Sequence, residues 1–164
     1  MDISNLESGD KEKLNVFLKS LKGSKDFYDY DEKAEIFVLK RTLSVSFPAN
    51  YGIVPKTHHI DAEPIEVLVL TDRELQQGTV LQVRPIGLIR LRGKIPDDIL
   101  IAIPVEDKKY ERIKNLSDVQ NAFIERLKKF LEEFKNAKVE RTFDSDRAKK
   151  AIEHSIKLYK KEFG

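Results

Sequence analysis

The chain contains no cysteine, which excludes disulfides and thiolate metal sites and fits a reducing compartment. It has no long hydrophobic run either: apolar stretches such as residues 99–105 are far too short to span a bilayer. The opening segment, MDISNLESGDKEK, lacks the apolar core of a signal peptide. These absences predict a cytoplasmic protein with no membrane partner. Nor is there a surplus of either charge. Thirty Lys and Arg against twenty-eight Asp and Glu give a formal net charge of +2, whereas general nucleic-acid binders show a basic surplus. Any anion site must therefore be local, and no nucleic-acid partner is expected.

What is present suits a packed domain. A length of 164 residues fits one hydrophobic core, so residues 1–164 are expected to form a single domain. Apolar residues make up 40% of the chain and charged ones 35%, which predicts a core under a heavily ion-paired surface. Two helices are predicted near the C-terminus. The first has Ser117 and Gln120 at capping-box spacing, then Val119, Phe123, Leu127, Phe130, Leu131 and Phe134 on one face. The second carries Ala148, Ala151, Ile152, Ser155, Ile156 and Tyr159, with Asp144 or Ser145 as cap. Runs rich in Val, Ile and Leu predict strands over 35–41, 65–70, 79–92 and 100–105. Residues 47–64 hold Pro48, Gly52, Pro55 and Pro64 and read as a long structured loop. Leu14, Phe17, Leu18 and Leu21 fall at helical spacing.

The chemistry concentrates where that loop meets a strand. In the segment DAEPIEVLVL, Asp61 and Glu63 lie in the loop, Pro64 fixes the backbone and Glu66 opens the strand. Three carboxylates so spaced suit a hard cation, and oxygen-only ligation selects magnesium, manganese or calcium over zinc. The segment resembles the signature of soluble (family I) inorganic pyrophosphatases, Asp-x-Asp-Pro-x-Asp before an apolar strand, with Glu at its second and third acids. The likeness extends through PANYGIVPKT (48–57), LQQGTV leading into RPIG (75–87), IAIP (101–104) and FLEEFK (130–135). It spans nearly the whole chain in the family's order.

The resemblance implies an α/β protein of the α+β type: a small OB-like closed β-barrel flanked by the two C-terminal helices, assembled as a homo-hexamer. In that fold residues 16–21 form a strand rather than the helix their periodicity suggests. It also implies magnesium-dependent hydrolysis of diphosphate to phosphate, with manganese as an alternative metal. Carried over by position, Asp61, Glu66 and Asp97 are metal ligands, with Asp98 as the alternative to Asp97. Glu63 stands at the acid that activates the attacking water. Arg41, Tyr51 and Lys135 bind phosphate, and Asp29 supports the site from behind. Other positions depart from the pattern. Phe27 and Ile99 stand where lysines are expected, Phe47 and Phe134 where tyrosines are, and Lys19 where a glutamate points inward. Gly93 and Lys94 occupy the region of a further metal-binding aspartate, Lys25 is the nearest replacement for the lysine expected at Phe27, and Lys40 is the alternative to Arg41.

Each longer Glu arm reaches about 1.5 Å further than Asp, and a misplacement of about 1 Å can cost a hundredfold. The expected activity is therefore reduced or altered. The other reading is a non-catalytic relative that keeps an anion site. The remaining candidates are weaker. Adjacent His58 and His59 would face opposite ways on extended chain and are expected on the surface. The paired lysines along the helices alternate with Glu, as on a solvated face.

Overall fold

The computed structural model describes residues 1–59 and 62–163. Eight strands and two helices follow one another as β1 (Leu14–Ser20), β2 (Asp26–Asp31), β3 (Ile36–Thr42), β4 (Asn50–Ile53), β5 (Glu66–Val69), β6 (Val80–Arg92), β7 (Asp97–Pro104), α1 (Asn121–Lys135), β8 (Lys138–Asp144) and α2 (Ser145–Phe163). Strands β1-β4-β5-β7-β6-β8 form one sheet in that order, and an additional pairing of β1 with β6 closes the first five into a ring. The length of β6, 13 residues, makes closure possible. Its first residues pair with β1, its last with β8, and β7 runs beside most of it. A register shift between Pro85 and Gly87 lets a proline sit in a central strand, where it would otherwise remove a ladder hydrogen bond.

Successive strand residues face opposite ways, and both faces of the ring are covered. Tyr51, Leu68, Ile99 and Ile101 join Ile124, Leu127, Phe130 and Phe134 of α1 in one buried cluster. The alternate residues, Val67, Val69, Leu88, Leu100 and Ala102, pack with Leu14, Val16, Leu18 and with Ala148 and Ile152 of α2. Close approach of β4 to β1 requires glycine at position 52, since a Cβ there would lie 2.4 Å from the Phe17 carbonyl oxygen. Strands β2 and β3 form a separate hairpin.

Two expectations about the elements are corrected, and the strand that the resemblance implied near the start of the chain is present. Residues 14–20 are strand, as the resemblance implied and against their helical spacing, because Leu14, Val16 and Leu18 alternate into one cluster while Phe17 joins another. The loop read over 47–64 contains β4. The first helix begins at Asn121, not in the Ser117–Gln120 box. Ser117 lies in a preceding 3-10 turn (116–118), where its N–H and hydroxyl donate to Asp144.

Candidate active site

The register of the ring gathers the polar side chains. Glu66 of β5 lies opposite Ile99 in the parallel pairing with β7, and Asp97 precedes Ile99 by two residues on the same face. Tyr51 lies opposite Leu68, two residues after Glu66, so it shares that face too. This is the face that α1 covers, and α1 delivers Lys135 in its last turn. The helix ends there because Asn136 takes the left-handed conformation and its N–H donates to the carbonyls of Glu132 and Glu133.

The four side chains meet. Tyr51 Oη donates to Glu66 Oε2 at 2.8 Å. The Lys135 ammonium straddles the same carboxylate, 2.6 Å from Oε1 and 2.5 Å from Oε2, and lies 3.9 Å from Asp97 Oδ2. Burial, reinforced by the neighbouring Glu66 charge, pushes the Tyr51 phenol well above its ordinary value, so at neutral pH it is a hydrogen-bond donor. Three rings pack around it, Phe27 and Phe47 at 5.8 Å and Phe134 at 5.4 Å between centroids. Arg41 reaches the same end of α1, donating to the Phe134 carbonyl, with its guanidinium carbon 5.5 Å from that ring. A helix C-terminus repels anions, so any phosphate held there depends on the Lys135 and Arg41 charges rather than on the helix dipole.

Of the expected site residues, Tyr51, Glu66, Asp97 and Lys135 are thus brought together, with Arg41 beside them. Asp29 is ion-paired with Lys19 at 2.7 Å. Burial raises the Asp29 carboxyl, but the hydrogen bond and charge of Lys19 outweigh it and hold it below its ordinary value. Glu63 is exposed on the loop, where its backbone carbonyl accepts from the His59 N–H at 2.9 Å. Asp61 lies outside the described residues. Lys25, Lys40 and Lys94 are exposed, and Ile99 is fully buried.

Strand alternation separates the two aspartates that the sequence left as alternatives. Asp97 faces Lys135, while Asp98 points to the α2 side. There it is 2% exposed, accepts from Arg90 at 2.8 and 3.2 Å, and lies 3.2 Å from His59 Nε2. Burial pushes its carboxyl up, but the contacts with His59 and Arg90 prevail and hold it below the usual range. The expectation of two surface histidines is corrected at the same point. His59 is 8% exposed, and His58 packs edge-on against Tyr159 and Phe163 while pairing with Glu162.

The donor chemistry fits a hard divalent cation. Glu66 and Asp97 converge on a single positive charge, the one Lys135 supplies here. Among the described residues no group of three or more carboxylates or imidazoles is arranged to hold a metal ion. Two carboxylates nevertheless match the habit of magnesium, which keeps several waters and takes one or two carboxylates plus substrate phosphates.

A small ring of antiparallel and parallel strands, flanked by two helices, with acids and cations converging at one strand mouth, defines a mixed α/β fold with an ionic site. A family model described as inorganic pyrophosphatase matches residues 16–160, and the chain belongs to that family. It is 32% identical over 161 residues to the inorganic pyrophosphatase of Haloferax volcanii, covering 93% of this chain and 91% of the relative. The inorganic pyrophosphatase structure from Thermus thermophilus matches at a TM-score of 0.89 and 28% identity, covering 98% of this chain and 99% of that one. The structure from Helicobacter pylori matches at 0.90 and 30%, covering 95% and 99%. Family membership and the fold expected from the sequence are thus established. No helix among the described residues is long and apolar enough to cross a membrane.

Proposed function

We propose that this chain hydrolyses inorganic diphosphate to phosphate with magnesium, or manganese in its place, at a reduced rate. The observation that carries this reading is the Tyr51–Glu66–Lys135–Asp97 constellation at the mouth of β5. Diphosphate resists attack because it and hydroxide are both anions. A divalent cation, when bound, lowers the pKa of water and shields the phosphates. Glu66 and Asp97, with Asp61, would hold it. Tyr51 fixes Glu66 in place, so the carboxylate's position costs no reorganisation during the reaction. Lys135 and Arg41 bind the phosphate oxygens, and Glu63 accepts the proton of the attacking water.

The reduced rate follows from what the site has lost. Phe27, Phe134 and Ile99 cannot donate a hydrogen bond or carry charge. Losing one preorganised donor typically costs on the order of a hundredfold or more. The apolar wall that Phe27, Phe47 and Phe134 build around Tyr51 favours the second reading, a non-catalytic relative that binds an anion and serves a structural or regulatory role. Under both readings the protein is single-domain and cytoplasmic and assembles as a hexamer. Light scattering returning a monomer at micromolar concentration would remove the last claim.

Melting curves separate the readings. Millimolar magnesium should raise the melting temperature by mass action, and diphosphate should raise it further. Asp61→Ala should remove the first shift. Both shifts without phosphate release would leave the non-catalytic reading standing, and no shift with either metal would count against the catalytic one.

A further inference from the structure

The polar network on the other face of β7 has no part in the chemistry described so far, yet it touches the acidic loop. The loop between β4 and β5 is closed at its base, where Val54 N–H donates to the Ile65 carbonyl at 3.0 Å and Ile65 N–H donates to Thr57 Oγ1 at 3.0 Å. Beyond that base, backbone hydrogen bonds tie down residues 58, 59, 62 and 63. His58 N–H donates to the Ser155 carbonyl of α2 at 3.0 Å, His59 N–H donates to the Glu63 carbonyl at 2.9 Å, and Ala62 N–H returns to the His59 carbonyl at 2.9 Å. Ala62 holds a left-handed φ of 60°, uncommon for alanine and maintained only where the surroundings enforce it.

The His59 ring is what ties this turn to the barrel. Its Nδ1 shares a hydrogen bond with Ser155 Oγ at 3.3 Å. Its Nε2 lies 3.2 Å from Asp98 Oδ2, an approach in ion-pair range rather than a well-aligned hydrogen bond. Asp98 is in turn clamped by Arg90, whose guanidinium carbon lies 4.9 Å from the Phe143 ring. Asp98 is also the immediate neighbour of Asp97 and donates its N–H to Asp97 Oδ1 at 2.9 Å. One buried contact therefore connects the loop carrying Glu63, and in sequence Asp61, to the strand carrying Asp97.

We infer that His59 is a positioning residue for the metal site: through Asp98 and Ser155 it fixes the acidic loop relative to β7, so that carboxylates from the two elements address one cation. This inference rests on the metal-dependent reading above. The network acts at the distance where outer partners of metal ligands typically change affinity by tenfold to a hundredfold.

The test uses the full chain and magnesium alone. Isothermal titration calorimetry should show magnesium binding weakened at least tenfold in His59→Ala. Partial recovery is expected in His59→Gln, which keeps an N–H donor for Asp98, and a smaller loss in Ser155→Ala. Without metal, amides of residues 58, 59, 62 and 63 should exchange at least tenfold faster in His59→Ala, while those of β5 stay unchanged. A parent that binds magnesium alongside a His59→Ala variant that binds it equally well would overturn this inference alone, as would a lower melting temperature with unaltered affinity. A parent that binds no magnesium would remove the metal-dependent reading and this inference with it. Should His59→Ala fail to fold, the Gln and Ser155 variants decide, and parental affinity in both would overturn the inference.

Discussion

Replacing Tyr51 by phenylalanine isolates one bond at the centre of the site. The side chain is 5% exposed, and its hydroxyl donates to one oxygen of Glu66 at 2.8 Å. A hydrogen bond to a charged group contributes about 1.5–3 kcal/mol net. Glu66 keeps its Lys135 partner in the variant, so the loss should fall at the lower end, about 1.5 kcal/mol. Unfolding entropy of about 2.1 cal/mol/K per residue gives about 340 cal/mol/K over 164 residues, so the melting temperature should drop by about 4 °C. Calorimetry at pH 7 without metal measures it. The opposing effect is real: three phenylalanine rings surround Tyr51, and an unpaired hydroxyl among them would make phenylalanine the more stable choice. An unchanged or raised melting temperature would therefore refute the claim that Tyr51 holds Glu66.

Two further outcomes are expected. Phe27→Lys, which restores a cation beside Arg41 at a half-buried position, should raise diphosphate turnover about tenfold by one charge-assisted contact. Steady-state phosphate release checks this, and equal rates would show that the missing cation does not limit the reaction. Asp118→Asn should lower the melting temperature at pH 7, and by progressively less as pH falls below the ordinary carboxylate range. The Asp118 carboxyl accepts from the Asn115 and Lys114 N–H groups, which hold it below its ordinary value. Its contribution is thus complete above the unfolded value near 3.9 and is lost as pH falls through the lower folded one. A pH-independent difference would contradict this.

The parts of the fold legible in the sequence are those whose pattern is local. Strands β5, β6 and β7 are runs rich in Val, Ile and Leu, and α1 and α2 keep their apolar stripes. Strand β1 misled by periodicity because both its faces are buried: Phe17 and Leu18 look like helical neighbours when they serve opposite sides of one strand. Strand β4 is only four residues long with Gly52 inside it, and β8 is largely polar and lies on the outside of the ring, so neither carries a strong local signal. At the site, Tyr51, Glu66 and Lys135 follow from position within the family pattern. His59 could not be recognised as buried, because its partners Asp98 and Ser155 stand 39 and 96 residues away, and only the folded ring brings them to it. The choice between Asp97 and Asp98 was within reach, since adjacent strand residues face opposite ways and Arg90 lies directly across from Asp98.

Phosphate release from inorganic diphosphate, followed by ³¹P nuclear magnetic resonance against magnesium concentration for the parent chain and Glu66→Gln, bears most directly on the proposed activity. The parent should convert the diphosphate signal to inorganic phosphate only when magnesium is present, and Glu66→Gln should lose most of that conversion. A diphosphate signal that persists in the parent at every magnesium and manganese concentration would contradict the account.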